Sequence, residues 1–258
     1  MSKADLAKNC GFAFQMKYVR KQKGTVPPKD SAGRIGTAAH EALEIFLKGE
    51  KTLAHALEIG AINQKLTTVE IDELSAMAHN IVSFRDRLGA YKAKHNVTDM
   101  RIEFKFGLRI DNTPTAFFGV KTAAAPAGDV FFRGVMDLIL DAEKSYIILD
   151  HKTGNPPGDD KEVFRRHDKQ LKLYSIAAFA LFPDLKGSQS AVHYLQNERI
   201  VWAEYKTADE IRDVLIPWYY AYVNEAAEAS RSLDAKKGWY CMFCDYSAQC
   251  PLVNKRNV

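Results

Sequence analysis

The feature that most constrains this chain is a change of period in its middle. Up to about residue 95 the apolar residues recur at helical spacing. From residue 101 they gather into short runs rich in Phe, Ile, Leu and Val, punctuated by turn residues. Residues 101–110, 130–140 and 146–152 read as strands, with Asp-Ala-Glu-Lys-Ser at 141–145 as a hairpin turn between the last two. Upstream, helices are expected over 32–47, 53–66 and 68–95. An opening helix around Leu6, Cys10, Phe14 and 16–19 ends at a Gly/Pro breaker, 24–29. Downstream, 154–159 is a loop and 163–182 a long helix. Two short strands follow, 191–196 and 200–206, paired across Asn197-Glu198, and then Thr207 caps a helix reaching about Leu233. Helices, a sheet, then helices predict an α/β fold: a central mixed sheet flanked by helices, with an N-terminal helical region and a C-terminal cysteine-rich segment.

The 258 residues can bury one substantial core, so a single domain over 1–258 is expected, with a helical region at 32–96 and a sheet core at 98–206. The composition, 47% hydrophobic and 26% charged, is that of a soluble globular protein, and no apolar run could cross a bilayer. Residues 1–20 mix Lys, Asp and Arg with apolar residues, unlike a signal peptide, which places the protein in the cytoplasm. A net charge of +4 suits a polyanionic partner without establishing one.

The strand over 130–140 carries Asp137 among apolar residues, where a carboxylate is costly unless paired or metal-bound. Its hairpin partner ends in Asp150-His-Lys152. Period-two alternation puts Tyr146, Ile148, Asp150 and Lys152 on one face, beside Asp137 if the strands pair. Phosphodiester hydrolysis uses such a set: two carboxylates to hold a divalent cation, and a lysine to orient the nucleophile or stabilise phosphoryl charge. The tripeptide alone also fits a surface hairpin with one salt bridge. His40 lies on a helix with small residues, Gly33-Arg-Ile-Gly-Thr-Ala-Ala-His40, and a lone helical histidine is more often structural than a ligand. Gln170 and Tyr174 stand at i and i+4, on one helical face. Around them lie Lys161, Arg165, Arg166, His167, Lys169 and Lys172.

Taken in order, Gly36/His40, Gly134/Asp137, Asp150/Lys152 and Gln170/Tyr174 resemble the RecB-like branch of the PD-(D/E)XK nucleases. The resemblance implies a restriction-endonuclease-like core. It makes His40, Asp137, Asp150 and the His151 carbonyl ligands of Mg²⁺ or Mn²⁺, and Asp137, Asp150 and Lys152 the catalytic set. It also puts Gln170 and Tyr174 at the DNA strand, with Arg165, Arg166 and Lys169 reading as backbone-phosphate contacts. Glu103 is similar to an upstream acid of some relatives, or else is a plain strand glutamate.

The four cysteines are Cys10 and the C-x2-C-x5-C of Cys241, Cys244 and Cys250. Without a secretion signal they suit zinc or an iron–sulfur cluster better than a disulfide framework. One N-terminal and three C-terminal cysteines bracketing such a core resemble the AddB nuclease domain and the CRISPR-associated "Cas-four" exonucleases. That resemblance implies a 4Fe–4S cluster joining 1–20 to 207–258, with Zn²⁺ the alternative. The implied function is a metal-dependent DNA exonuclease acting on single-stranded ends, in a bacterial or phage-infected cell. It would serve recombination, repair or spacer acquisition, with a helicase or recombinase as possible partner. The rival is a catalytically inactive DNA-binding scaffold of the same fold.

Overall fold

The computed structural model describes residues 9–22, 31–108, 114–115, 132–182, 184–238, 241 and 244–254. The breaker at 24–29, Leu6 and the strand ends at 109–110 and 130–131 lie outside these residues. Chain contacts define two compact units, Ser31–Leu215 and a second formed by Met1–Asp30 with Ile216–Val258.

The larger unit holds helices α1 (Ser31–Leu47), α2 (Leu53–Gln64), α3 (Thr68–Ala76), α4 (Ala78–Lys94) and α5 (Asp160–Leu181). Its strands are β1 (Val97–Leu108), β2 (Pro114–Thr115), β3 (Phe132–Ala142), β4 (Ser145–Lys152), β5 (Gly187–Tyr194), β6 (Arg199–Trp202) and β7 (Lys206–Thr207). They form one sheet in the order β2-β1-β3-β4-β5-β6, with β7 also pairing β5. β1, β3 and β4 are antiparallel, whereas β4 and β5 are parallel, so the sheet is mixed as expected. A parallel pair needs a crossover, and α5 supplies it.

Strand register sorts the side chains onto two faces. Leu138 and Leu140 of β3, with Ile147 and Leu149 of β4, pack against Ile35, Leu43, Leu74, Ile81 and Phe84 of the N-terminal helices. On the other face Val163 and Leu171 of α5 cover Val192, Tyr194 and Val201. Full burial of each such side chain stabilises by about 1.5–3 kcal/mol. α1 and α2 meet backbone to backbone: a Cβ on Gly60 would come within 2.5 Å of the Ala38 carbonyl oxygen.

Several boundaries differ from the sequence reading. The β3–β4 turn shrinks from 141–145 to Glu143-Lys144, because Asp141 pairs with Tyr146 and Ala142 with Ser145. Both turn residues take positive φ, 54° and 73°, as a two-residue hairpin of twisted strands requires. The helix expected over 68–95 is two helices, broken at Met77 (ψ −8°). Leu74, Met77, Ile81, Phe84 and Leu88 are all buried, so the apolar stripe crosses the break without losing its spacing. β5 starts at Gly187 rather than 191, with the small polar residues Ser188 and Ser190 buried beside β4. Thr207 does cap the next helix, in a reciprocal box with Glu210.

In the second unit, Cys10 caps the short helix Gly11–Phe14 and accepts the Ala13 N–H at its sulfur, 3.5 Å. Helix Ile216–Ser230 belongs to the same unit. Phe12 N donates to the Asp234 carbonyl at 3.2 Å, and the Tyr246 hydroxyl to the Gln22 carbonyl at 3.0 Å.

Candidate active site

The ladder between β3 and β4 stops at Leu138–Leu149, one step before Asp137 and Asp150 would pair. There the Asp137 carboxylate replaces the missing backbone bond, accepting the His151 N–H at Oδ2 (2.6 Å). The same register places Asp137 opposite Glu103 of β1, between the pairs Ile102–Leu138 and Phe104–Met136. Glu103 has φ 50°, a left-handed conformation inside a strand, which costs about 1–3 kcal/mol. Facing this corner, His40 of α1 puts Nδ1 3.7 Å from Glu103 Oε1 and 3.7 Å from Asp137 Oδ2. Together His40, Glu103 and Asp137 offer three ligand atoms within 4.8 Å of one another.

Asp150 is 2% exposed and is held from α5. Gln170 Nε2 donates to Asp150 Oδ1 (2.8 Å) and to the Tyr174 oxygen (2.7 Å). The Tyr174 hydroxyl shares its proton between the Val135 carbonyl (2.9 Å) and Asp150 Oδ1 (3.2 Å). Lys152 Nζ approaches Asp150 Oδ2 at 2.6 Å as an ion pair, yet that oxygen has no donor in hydrogen-bond geometry. The helical histidine and the Gln/Tyr pair thus reach the acids from helices that cover opposite faces of the sheet.

The electrostatics follow from burying so many acids together. Burial above all, and then the charge of Asp150, lift Asp137 from 3.8 to about 7, although His40 pulls the other way. Burial opposes a charged ring at His40, but a hydrogen bond from the ring to Glu103 and the charges of Asp137 and Glu103 outweigh it, so its pKa is raised. These are groups short of positive charge, and the donor set of one imidazole nitrogen and carboxylate oxygens fits Mg²⁺ or, better, Mn²⁺. The glycines of the two motifs have steric reasons. A Cβ on Gly36 would sit 3.0 Å from Thr153 Oγ1, and one on Gly134 would strike the Phe106 ring at 2.7 Å.

The His151 ring is not one of the three grouped ligands. The ring is buried under α1 and α4, 6.4 Å from the His40 ring, with its Nδ1 3.0 Å from Nδ1 of His193, so one nitrogen donates and the other accepts. Burial keeps both neutral, with His193 lowered to about 4 and His151 well below its usual range. Sequence reading passed over His193, and nothing in its local pattern marks it. Arg165 and Arg166 are exposed on α5 and pair with Glu162 of its first turn, and Lys169 lies on the same helix.

In the second unit, buried Cys10 packs with Ala13, Met16 and Tyr246, against Cys244. Cys241 is exposed, Cys244 and Cys250 are half-buried, and none of the four is in a disulfide. Burial raises the Cys244 thiol, and the neighbouring Cys10, Cys241 and Cys250 each raise it further. Gly238 N donates to Cys241 Sγ at 3.4 Å.

A mixed sheet sandwiched by helices, with acids and a lysine on a splayed strand pair, is the architecture of a metal-dependent nuclease. The chain matches the profile of the PD-(D/E)XK nuclease superfamily over residues 1–251, and it belongs to that superfamily. Its members are generally metal-dependent nucleases working with Mg²⁺ or Mn²⁺ on DNA. No curated protein matches the chain. Among solved structures it is similar to SSO0001, with 16% identity and TM-score 0.36 over 83% of this chain and 84% of that one. It is also similar to VC1899 from Vibrio cholerae, with 8% identity and TM-score 0.29 over 88% of this chain and 58% of that one. No described helix is long and apolar enough to cross a membrane.

Proposed function

We propose that the chain is a DNA exonuclease acting on single-stranded ends. The observation that supports metal-dependent cleavage is the meeting of His40, Glu103 and Asp137 with the Asp150–Lys152 pair at one splayed end of β3 and β4. His40, Asp137, Asp150 and the His151 carbonyl would hold Mg²⁺ or Mn²⁺, with Glu103 as a further ligand. The bound cation supplies a polarised phosphoryl oxygen and a more acidic water. Lys152 orients that water and stabilises charge on the phosphate, its ammonium drawn to the site by Asp150. Gln170 and Tyr174 fix the Asp150 carboxylate and line the strand's path. Arg165, Arg166 and Lys169 bind backbone phosphates, giving salt-dependent affinity without sequence preference.

The four cysteines suit a 4Fe–4S cluster: they share one unit, Cys10 packs against Cys244, and Cys10 and Cys241 accept backbone N–H bonds. Such a cluster would fasten residues near Cys10 to those around Cys244. Single-strand preference, end-directed cleavage, the cluster and a helicase or recombinase partner follow the motif resemblance rather than any distance in the site. The test is digestion of 5′- and 3′-labelled single strands with Mn²⁺, using Asp150→Ala as control. Progressive shortening by the native chain alone supports the reading. Binding without cleavage would make the chain a DNA-binding scaffold instead, and zinc without iron after anaerobic purification would replace the cluster.

A further inference from the structure

One face of α4 grips β4 and β5 and the chain that leaves β5. Asn80, Phe84 and Arg87 follow one another at i, i+4 and i+7, on one side of the helix. The Asn80 amide donates both hydrogens to the chain leaving β5, to the Leu195 carbonyl at 2.9 Å and the Gln196 carbonyl at 2.8 Å. Phe84 stacks on the His193 ring (4.4 Å, 28°) and meets the His151 ring edge-on (5.1 Å, 79°). Arg87 pairs with Glu198 in the turn beyond, at 2.7 Å.

Leu195 is the link to the reaction. It follows Tyr194, whose partner in the parallel ladder is Lys152, and its N–H donates to the Lys152 carbonyl at 2.8 Å. That bond lies past the end of the regular β4–β5 pairing, where the chain turns into the loop at 153–159. The backbone of Lys152 is therefore fixed on this side by Leu195, and Leu195 by Asn80. Only a side chain with two amide hydrogens at this length holds both carbonyls at once. Loosening the grip would let the end of β4 shift, and a displacement near 1 Å of a catalytic group can slow a reaction about 100-fold.

We infer that Asn80 is a positioning residue for cleavage, holding Lys152 in register through Leu195. The inference rests on the reading of Lys152 as catalytic. It is tested with purified Asn80→Ala, Asn80→Asp, Arg87→Ala and Lys152→Ala chains, measuring kcat and KM for Mn²⁺-dependent cleavage of a labelled single strand, and Tm. Asn80→Ala should lower kcat roughly 10- to 100-fold with KM for the strand little changed. Asn80→Asp should be worse, since a carboxylate would face two carbonyl oxygens. Arg87→Ala frees the same turn at its far side, so it should lower Tm comparably while kcat stays near native. In the Lys152→Ala background, Asn80→Ala should leave the residual rate unchanged and still lower Tm. If Asn80→Ala keeps native kcat while Lys152→Ala is inactive, the positioning role is overturned and the catalytic reading stands. If Arg87→Ala and Asn80→Ala lose kcat in proportion to Tm, Asn80 is structural only. Native cleavage by Lys152→Ala would overturn both.

Discussion

Asp137→Asn should make the metal-free protein more stable and useless as a nuclease. Burial holds the folded carboxyl near 7, against an ordinary value of 3.8. The difference, at about 1.36 kcal/mol per pH unit, places the penalty for ionising Asp137 near 4 kcal/mol, to order of magnitude. Its pH window follows from the direction of the shift. Below about pH 4 the acid is protonated folded and unfolded, and no penalty exists. Between 4 and 7 the unfolded chain ionises while the folded one holds its proton, so native stability falls. Above 7 the loss is complete. Asparagine escapes it, and its side-chain oxygen can still accept the His151 N–H that Asp137 accepts now. The attraction of His40 is already contained in the value near 7, so with some relaxation of the site a net gain of about 2–4 kcal/mol is expected at pH 8. For a unit of this size that is roughly 5–15 °C in Tm. The assay is thermal and urea unfolding in EDTA from pH 4 to 8, repeated with saturating Mn²⁺. With the ion present the order should reverse, since only the native chain gains the binding free energy. Equal stability at pH 8 in EDTA, or a difference that does not shrink toward pH 4, would refute the argument that this acid is held uncompensated.

Glu70 is buried at the start of α3, and its carboxyl is depressed to about 2 by the Thr67 N–H first, then by the Ser31 hydroxyl and its other partners, Arg34 among them. Its stabilisation is full above 4.5 and lost as pH falls toward 2, so Glu70→Gln should flatten the acid limb of an unfolding curve, and an unchanged limb would count against it. Gly134→Ala pushes a methyl into the Phe106 ring and should destabilise by about 1–3 kcal/mol, with Phe106→Leu restoring part of the loss in the double variant. Tyr174→Phe removes a hydroxyl shared with a buried carboxylate; about 1.5–3 kcal/mol of stability should go, and cleavage should slow. His40→Ala should weaken Mn²⁺ binding, with activity partly recovered at high Mn²⁺; superimposable metal titrations would leave His40 a structural residue.

Most of the sheet and the layout of the site could be read from residue order, because both rest on short-range period. Alternation on β4 puts Asp150 and Lys152 on one face, and their charged groups are 2.6 Å apart. The i, i+4 spacing of Gln170 and Tyr174 delivers both to one carboxylate oxygen. What escaped depends on contacts distant in sequence. The break at Met77 keeps the helical stripe intact, so periodicity cannot reveal it. β5 begins with Gly-Ser-Gln-Ser, which lacks strand character by itself and becomes strand through pairing with β4 from Ser145 onward. The two-donor grip of Asn80 joins residues more than a hundred positions apart. Nothing local foretells the positive φ of Glu103, either, since glutamate has no preference for that region.

Three unfavourable features share one corner of an otherwise ordinary fold. Glu103 strains its backbone within a strand. Asp137 is half-buried near two other acids, and Asp150 Oδ2 is buried with an ion pair but no hydrogen-bond donor. Each is destabilising by itself, and none is needed to complete the sheet: glycine at 103 would accept that φ without strain, and asparagine at 137 would satisfy His151 without a charge. The remedy common to all three is positive charge between β1, β3 and β4. A divalent cation would compensate Asp137, take up the open lone pairs of Asp150, and give the Glu103 carboxylate a partner besides His40. The two apolar layers, through Leu138 and Leu149 on one side and Val192 on the other, hold the strands in place while the acids repel. Local instability of this kind accords with the proposed cation site, whose geometry would be set by packing rather than by the ligand.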